Sequence, residues 1–189
     1  MTVTTTWDLR RILPKTYDHR TEVLSEISTV LSQHRHLEAV TDRFGKHLDK
    51  VFNDGTAKNL MCLTGTIMVV YKGKPYNIPV CLWLKQSYPR TAPICYVKPT
   101  HEMMIVSSRH VNSNGEIMLP YLDEWRHTQC DLHSLIQVIM AVFGEVPPLC
   151  MRPEYSGSVH PPMYSVEELS HVKLDTEDHL FNELNETSC

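Results

Sequence analysis

Residues 110–125 read HVNSNGEIMLPYLDEW. Asn114-Gly115 is a turn signal, and Ile117-Met118-Leu119 is the short apolar run that follows it. The sulfur at position 118 is a thioether, which has no proton to lose, so the run offers no thiolate nucleophile. Working outward, Asp131 is a helix cap for a segment whose Leu132, Leu135, Ile136, Ile139, Met140 and Phe143 share one face, with Gly144 closing it and Pro147-Pro148 forbidding further helix. On the N-terminal side, Ile94–Lys98 is strand-like, and Met103–Val106 reads as a short fourth strand. Before them, Leu63–Tyr71 and Tyr76–Leu84 form a hairpin about the turn Lys72-Gly73-Lys74-Pro75. In its return strand Tyr76, Ile78, Val80, Leu82 and Leu84 share one face. Asn77, Cys81 and Trp83 share the other, which places Trp83 toward solvent, and Pro79 marks the strand as an edge. Arg20–His34 is an amphipathic helix on Val23, Ile27, Val30 and Leu31, and Pro14 cuts short a first one starting at Leu9.

The chain has 189 residues, 42% of them hydrophobic, and a net charge of −4, which suits one soluble domain with a tail and excludes an electrostatic nucleic-acid or membrane surface. Its longest apolar run, Val138–Phe143, is far short of a membrane span, and the N-terminus lacks the apolar core of a signal peptide, so the protein reads as cytosolic. The six cysteines lack metal-site or CxxC spacing, and all read as reduced structural thiols. His34 and His36 form the closest histidine pair, read as a solvated helix end; no metal or cofactor is expected. Residues 1–153 read as the folded domain, and 154–189, polar and poor in core-like runs, as a tail without fixed structure.

The run His110, Asn112, Asn114-Gly115, Ile117, Leu119 and Trp125 resembles the active-site segment of ubiquitin-conjugating enzymes, with Met118 where their thioester cysteine stands. Tyr88-Pro89 and Pro93 resemble that family's Tyr-Pro…Pro loop. The resemblance implies an α+β fold: an antiparallel four-stranded meander flanked by N-terminal helices and one C-terminal helix. Within it, VFNDG (51–55), LTGTI (63–67), YNIP (76–79), CLWL (81–84), PIC (93–95), VKPT (97–100), LPYL (119–122), LIQV (135–138), VFG (142–144) and Arg152-Pro153 are similar to the ubiquitin-conjugating enzyme variant (UEV) domains of the tumour susceptibility protein family of ESCRT-I.

That likeness implies a non-catalytic adaptor with two binding surfaces. For Pro-Thr/Ser-Ala-Pro peptides it implies Thr66, Tyr71, Tyr76, Asn77, Thr100, Met103, Leu149, Cys150, Met151 and Arg152; for ubiquitin, Val51, Asn53, Asp54, Trp83 and Tyr96. The implied setting is cytoplasmic, with recruitment to endosomes, virus budding and other ESCRT-I subunits as partners, and no membrane insertion. Leu149-Cys150-Met151 departs from the family's Val-Phe-Ser, which implies weaker peptide binding. The alternatives are a UEV cofactor that partners an active conjugating enzyme to direct chain linkage, and an enzyme working through Cys130, the one cysteine near this segment and just ahead of the Asp131 cap. Taken on residues alone, Tyr71 and Tyr76 read rather as cross-strand packing that supports the hairpin.

Overall fold

The computed structural model describes residues 6–44 and 58–155. Two helices come first, α1 (Thr6–Ile12) and α2 (Arg20–Gln33), followed by β1 (Leu37–Phe44), β2 (Lys58–Tyr71), β3 (Lys74–Leu84) and β4 (Ile94–Val97). Then come β5 (Met103–Ile105), the single turn α3 (Pro120–Asp123), α4 (Leu132–Glu145), β6 (Leu149–Met151) and a 3-10 turn over Pro153–Tyr155. Strands β1–β4 make one antiparallel sheet in sequence order, and β5 pairs with β6 in a separate two-stranded sheet. The α+β meander is therefore as expected, with two corrections. Its first strand is β1, which sequence reading missed, and Met103–Ile105 leaves the main sheet to pair with residues 149–151.

Period-two burial along β2 and β3 sets the layering. Leu63, Ile67, Val69 and Tyr71 on β2, with Tyr76, Ile78, Val80, Leu82 and Leu84 on β3, form a face buried against α2 and α4. Gly65 lies on the same side, at φ +138°, and a Cβ there would meet the His36 carbonyl oxygen at 2.0 Å. Only glycine lets the chain entering β1 cross so close. Pro79 does not mark a sheet edge throughout, because β4 pairs with Val80–Trp83. From Lys74 to Ile78, however, that side of β3 has no partner strand among the described residues.

A buried hydroxyl and a half-buried carboxylate tie the elements together. The Tyr17 hydroxyl donates to the Leu84 carbonyl at 2.5 Å and accepts from the Met61 N–H at 2.7 Å, across the last residue pair of the β2–β3 ladder. Burial pushes its pKa up to about 12, against the lowering effect of the Met61 bond, so it remains a donor. On α2, the Glu26 carboxylate accepts from the Tyr88 hydroxyl and from the Leu132 N–H at the start of α4. The Asp131 cap is as the sequence indicates, its carboxylate accepting from the Ser134 N–H at 2.7 Å. The Arg20 guanidinium closes the end of α1 by donating to the Leu13 carbonyl at 2.8 Å and the Pro14 carbonyl at 2.5 Å. No helix among the described residues is long and apolar enough to cross a membrane.

Tyr17→Phe would leave the Met61 N–H and Leu84 carbonyl buried without this partner, so urea melts are expected to show a loss of about 1–3 kcal/mol. An unchanged midpoint would refute the role. A second expectation concerns acid. Burial, and then the charge of His133, depress the His34 pKa below its ordinary value, so the folded state binds the proton less readily than the unfolded chain. The associated stability is complete above the ordinary imidazole range and is lost as pH falls through it. Thermal melts at mildly acid and neutral pH should show a lower Tm in acid, and a smaller drop in His133→Leu; an equal drop in both would remove His133 as a cause.

Candidate functional site

Of the ten positions marked for peptide, four lie on the β2–β3 hairpin, five on or just after the paired strands β5 and β6, and Thr100 ahead of β5. At the tip of β2–β3 the Tyr71 and Tyr76 rings lie 6.4 Å apart with planes at 53°, and Lys72 Nζ sits 5.4 Å from the Tyr71 ring centroid. Both tyrosines are on the inward face and are buried, whereas Thr66 and Asn77 are on the outward face, opposite Pro79 and Met68. Along Lys74–Ile78, β3 pairs with β2 on one side and has no partner strand on the other among the described residues.

The second group lies on the paired strands β5 and β6, where Met103 pairs with Met151, Met104 with Cys150 and Ile105 with Leu149. The pairing is closed by Val106 N–H donating to the Pro148 carbonyl at 2.7 Å and Arg152 N–H to the Glu102 carbonyl at 2.8 Å. The end of α4 brings it beside the first hairpin. A Cβ on Gly144 would stand 2.8 Å from the Val70 carbonyl oxygen, and β6 starts five residues later. Leu149, Cys150 and Met151 are buried, and burial raises the Cys150 thiol pKa. Of the ten positions, Tyr71, Tyr76, Leu149, Cys150 and Met151 are buried, and Thr66, Asn77, Thr100, Met103 and Arg152 are accessible. Met68, Val70 and Met104, absent from the sequence reading, are exposed apolar side chains on the same two strand pairs. Alternation from the buried Val69 and Tyr71 was the available signal for the first two.

Trp83 requires correction. It sits on the outward face, as expected, but retains only 8% of its surface, enclosed by Phe44, Leu60, Cys62, Cys81 and Tyr96. The Phe44 ring meets it edge-on at 5.2 Å, and Phe44 belongs to the missed strand β1. Tyr96, opposite Cys81 in the sheet, is equally buried. Val51, Asn53 and Asp54, with the turn they belong to, lie outside the described residues. The expectation of reduced thiols also fails for one pair: Cys62 and Cys81 form a disulfide with Cα atoms 6.5 Å apart. Register explains the pairing, since Cys62 faces Trp83 and Cys81 faces Thr64, which makes the two cysteines diagonal neighbours on one face. Cys95, Cys130 and Cys150 are free thiols.

The segment around Met118 is a tight loop. Val111 bridges Ile117, Met118 N–H donates to the His110 carbonyl at 2.7 Å, and Asn112 Oδ1 accepts from the Asn114 and Glu116 N–H groups. The Met118 side chain is 40% exposed, so a thioether is what this loop presents to solvent. Burial and then Arg109 lower the His110 pKa, which favours the neutral imidazole. Cys130 Sγ accepts from the Arg126 N–H at 3.4 Å, within its own turn ahead of α4.

The UEV domain profile matches residues 8–151. Tumor susceptibility gene 101 protein of Homo sapiens is 48% identical over 145 residues, covering 77% of this chain and 35% of that protein, so the chain spans about a third of that relative's length. The yeast vps23 UEV domain, solved in complex with a vps27 PSDP peptide, has a TM-score of 0.65 at 25% identity, covering 75% of this chain and 92% of that one. A complex of the Vps23 UEV with ubiquitin gives a TM-score of 0.61 at 21% identity, a likeness of fold, over 76% of this chain and 95% of that one. The profile match extends from α1 to the last residue of β6, and on that ground the chain belongs to the UEV domain family.

Proposed function

We propose that this domain is a non-catalytic adaptor that binds ubiquitin and Pro-Thr/Ser-Ala-Pro peptides, acting in the cytoplasm and at endosomes in the sorting of ubiquitinated cargo and in virus budding, with other ESCRT-I subunits as partners. The observation that supports the peptide half is the side of β3 from Lys74 to Ile78 that has no partner strand among the described residues, with α4 packed on Val70 at the same hairpin and leading into β6 and Arg152. A Pro-rich ligand suits such a surface because it is extended before it binds and loses little entropy on docking. The yeast domain solved with a PSDP peptide supports the same assignment. Covering a short motif removes on the order of 300–400 Å² of apolar surface, about 8–10 kcal/mol before ordering costs, which leaves micromolar or weaker affinity.

Ubiquitin is assigned to the opposite end of the sheet, around Trp83 and Tyr96 together with Val51, Asn53 and Asp54. Since Trp83 and Tyr96 are buried, their role there is to support the binding surface rather than to project from it. The non-catalytic reading rests on Met118, which cannot form a thioester, and on the free cysteines. Cys95 and Cys150 are buried with raised pKa values, and Cys130 is held in a different loop.

Three measurements test this. Titration with a Pro-Thr-Ala-Pro peptide should give micromolar or weaker binding that Cys150→Phe strengthens about tenfold, a gain of ~1–2 kcal/mol from the restored ring; equal affinities would remove Cys150 from the peptide site. NMR titrations should shift the amides around Tyr71–Asn77, Met103 and Arg152 with peptide, and those around Trp83 and Tyr96 with ubiquitin. No shift with either ligand sinks the adaptor reading. Incubation with activating enzyme, ubiquitin and ATP should leave no thiol-labile ubiquitin adduct, and an adduct abolished by Cys130→Ala would show that the domain is an enzyme.

A further inference from the structure

We infer that Cys62 and Cys81 are a redox-active pair that passes between disulfide and dithiol by exchange with small thiols, and that their state sets the packing of Trp83 and Tyr96 beneath the surface assigned to ubiquitin. This rests on the ubiquitin reading above and adds the regulation of that surface.

The sheet brings the two sulfurs and the two rings together. On the outward face Cys62 stands between Val40 of β1 and Trp83 of β3, and Cys81 between Thr64 of β2 and Tyr96 of β4. The disulfide therefore crosses diagonally between adjacent rows of side chains, and each cysteine has one of the rings as its direct cross-strand neighbour. Phe44 meets Trp83 edge-on at 5.2 Å, and Leu60, Val40 and Ile94 pack into the same cluster, which is separate from the core against the helices. Among the described residues the other cysteines are placed differently. Cys95 lies opposite Leu82 and packs in the helix-facing core, Cys150 is in β6, and Cys130 is in the turn ahead of α4.

Reduction consumes two molecules of a thiol such as glutathione. The first, as thiolate, attacks one protein sulfur to give a mixed disulfide and releases the other cysteine; the second displaces the first as glutathione disulfide, and both cysteines end as thiols. Oxidation is the reverse, with glutathione disulfide accepting the two electrons. Breaking the bond turns two joined sulfurs into two that must stand at van der Waals contact. Cys62 and Cys81 are 2% and 1% exposed, so a closely packed cluster has to take up that separation, and the rings beside them are what move. The oxidised pair also holds β2 and β3 in one relation, which lowers the ordering cost for a ligand docking over Trp83 and Tyr96.

The test uses the full chain and its Cys62→Ala/Cys81→Ala double variant, each equilibrated in glutathione buffers from fully reduced to mostly oxidised. Alkylation and peptide mapping of the wild type should show Cys62 and Cys81 passing together from alkylated to linked as the ratio changes. Tryptophan emission should fall along the same curve, because a disulfide beside Trp83 quenches it. Across a sequence separation of 19, the oxidised form should melt roughly 5–10 °C higher. It should also bind ubiquitin about 3–10-fold more tightly than the reduced form, while the double variant ignores the buffer. Cysteines that stay alkylated, or stay linked, at every ratio overturn the inference. So does a titrating pair with equal, measurable ubiquitin affinities in its two states, an outcome that leaves the ubiquitin surface standing. Absence of ubiquitin binding in both states removes that surface and the inference with it. A double variant whose ubiquitin affinity follows the buffer as the wild type does assigns the effect to other thiols and overturns the role of this pair.

Discussion

One half-buried carboxylate draws three elements of the domain together. Glu26 accepts from the Tyr88 hydroxyl and from the first N–H of α4, so α2, the loop before β4 and α4 converge on a single acceptor. Burial raises the pKa of the carboxyl, while both hydrogen bonds favour its ionised form, and the N-terminal end of α4 supplies favourable potential to the same charge. Each partner lost would leave a buried polar group uncompensated. Because the start of α4 is fixed, its far end is fixed too, and Gly144 meets the Val70 carbonyl. From that contact the chain runs five residues on into β6 and its pairing with β5.

Much of this was legible in the chain. Alternating apolar residues gave β2 and β3 their buried face, Asp131 announced α4, and Pro147-Pro148 ended it. β1 was hidden because Glu38, Thr41, Asp42 and Arg43 break the apolar pattern of LEAVTDRF. With β1 went Phe44, and with Phe44 the knowledge that Trp83 is covered; side-chain alternation fixes a face but not what lies over it. β5 was visible as a strand, yet its partner is some 45 residues away, and three residues carry too little pattern to reveal so distant a pairing.

The binding residues were less legible still. Tyr71 and Tyr76 look like ordinary cross-strand partners, and nothing in their spacing connects them with Leu149 or Arg152. Resemblance named the set; the fold explains how its members divide into buried and accessible positions. For the enzyme-like loop the division is different. His110 and Asn112 contribute backbone and side-chain hydrogen bonds that hold a turn, and the loop presents the Met118 thioether.

The bare stretch of β3 bears on the domain's own solubility. Unpaired strand edges are where chains recruit one another into growing sheets. Here the edge contains Pro75, which has no N–H to offer, and it is flanked by the charges of Lys72 and Lys74. A neighbouring strand therefore finds an interrupted ladder and like charges, while a proline-rich segment, itself short of donors, gives up little by meeting it. Such a segment cannot pass the ladder on to a third strand, so an edge of this make-up can stay open without seeding aggregation.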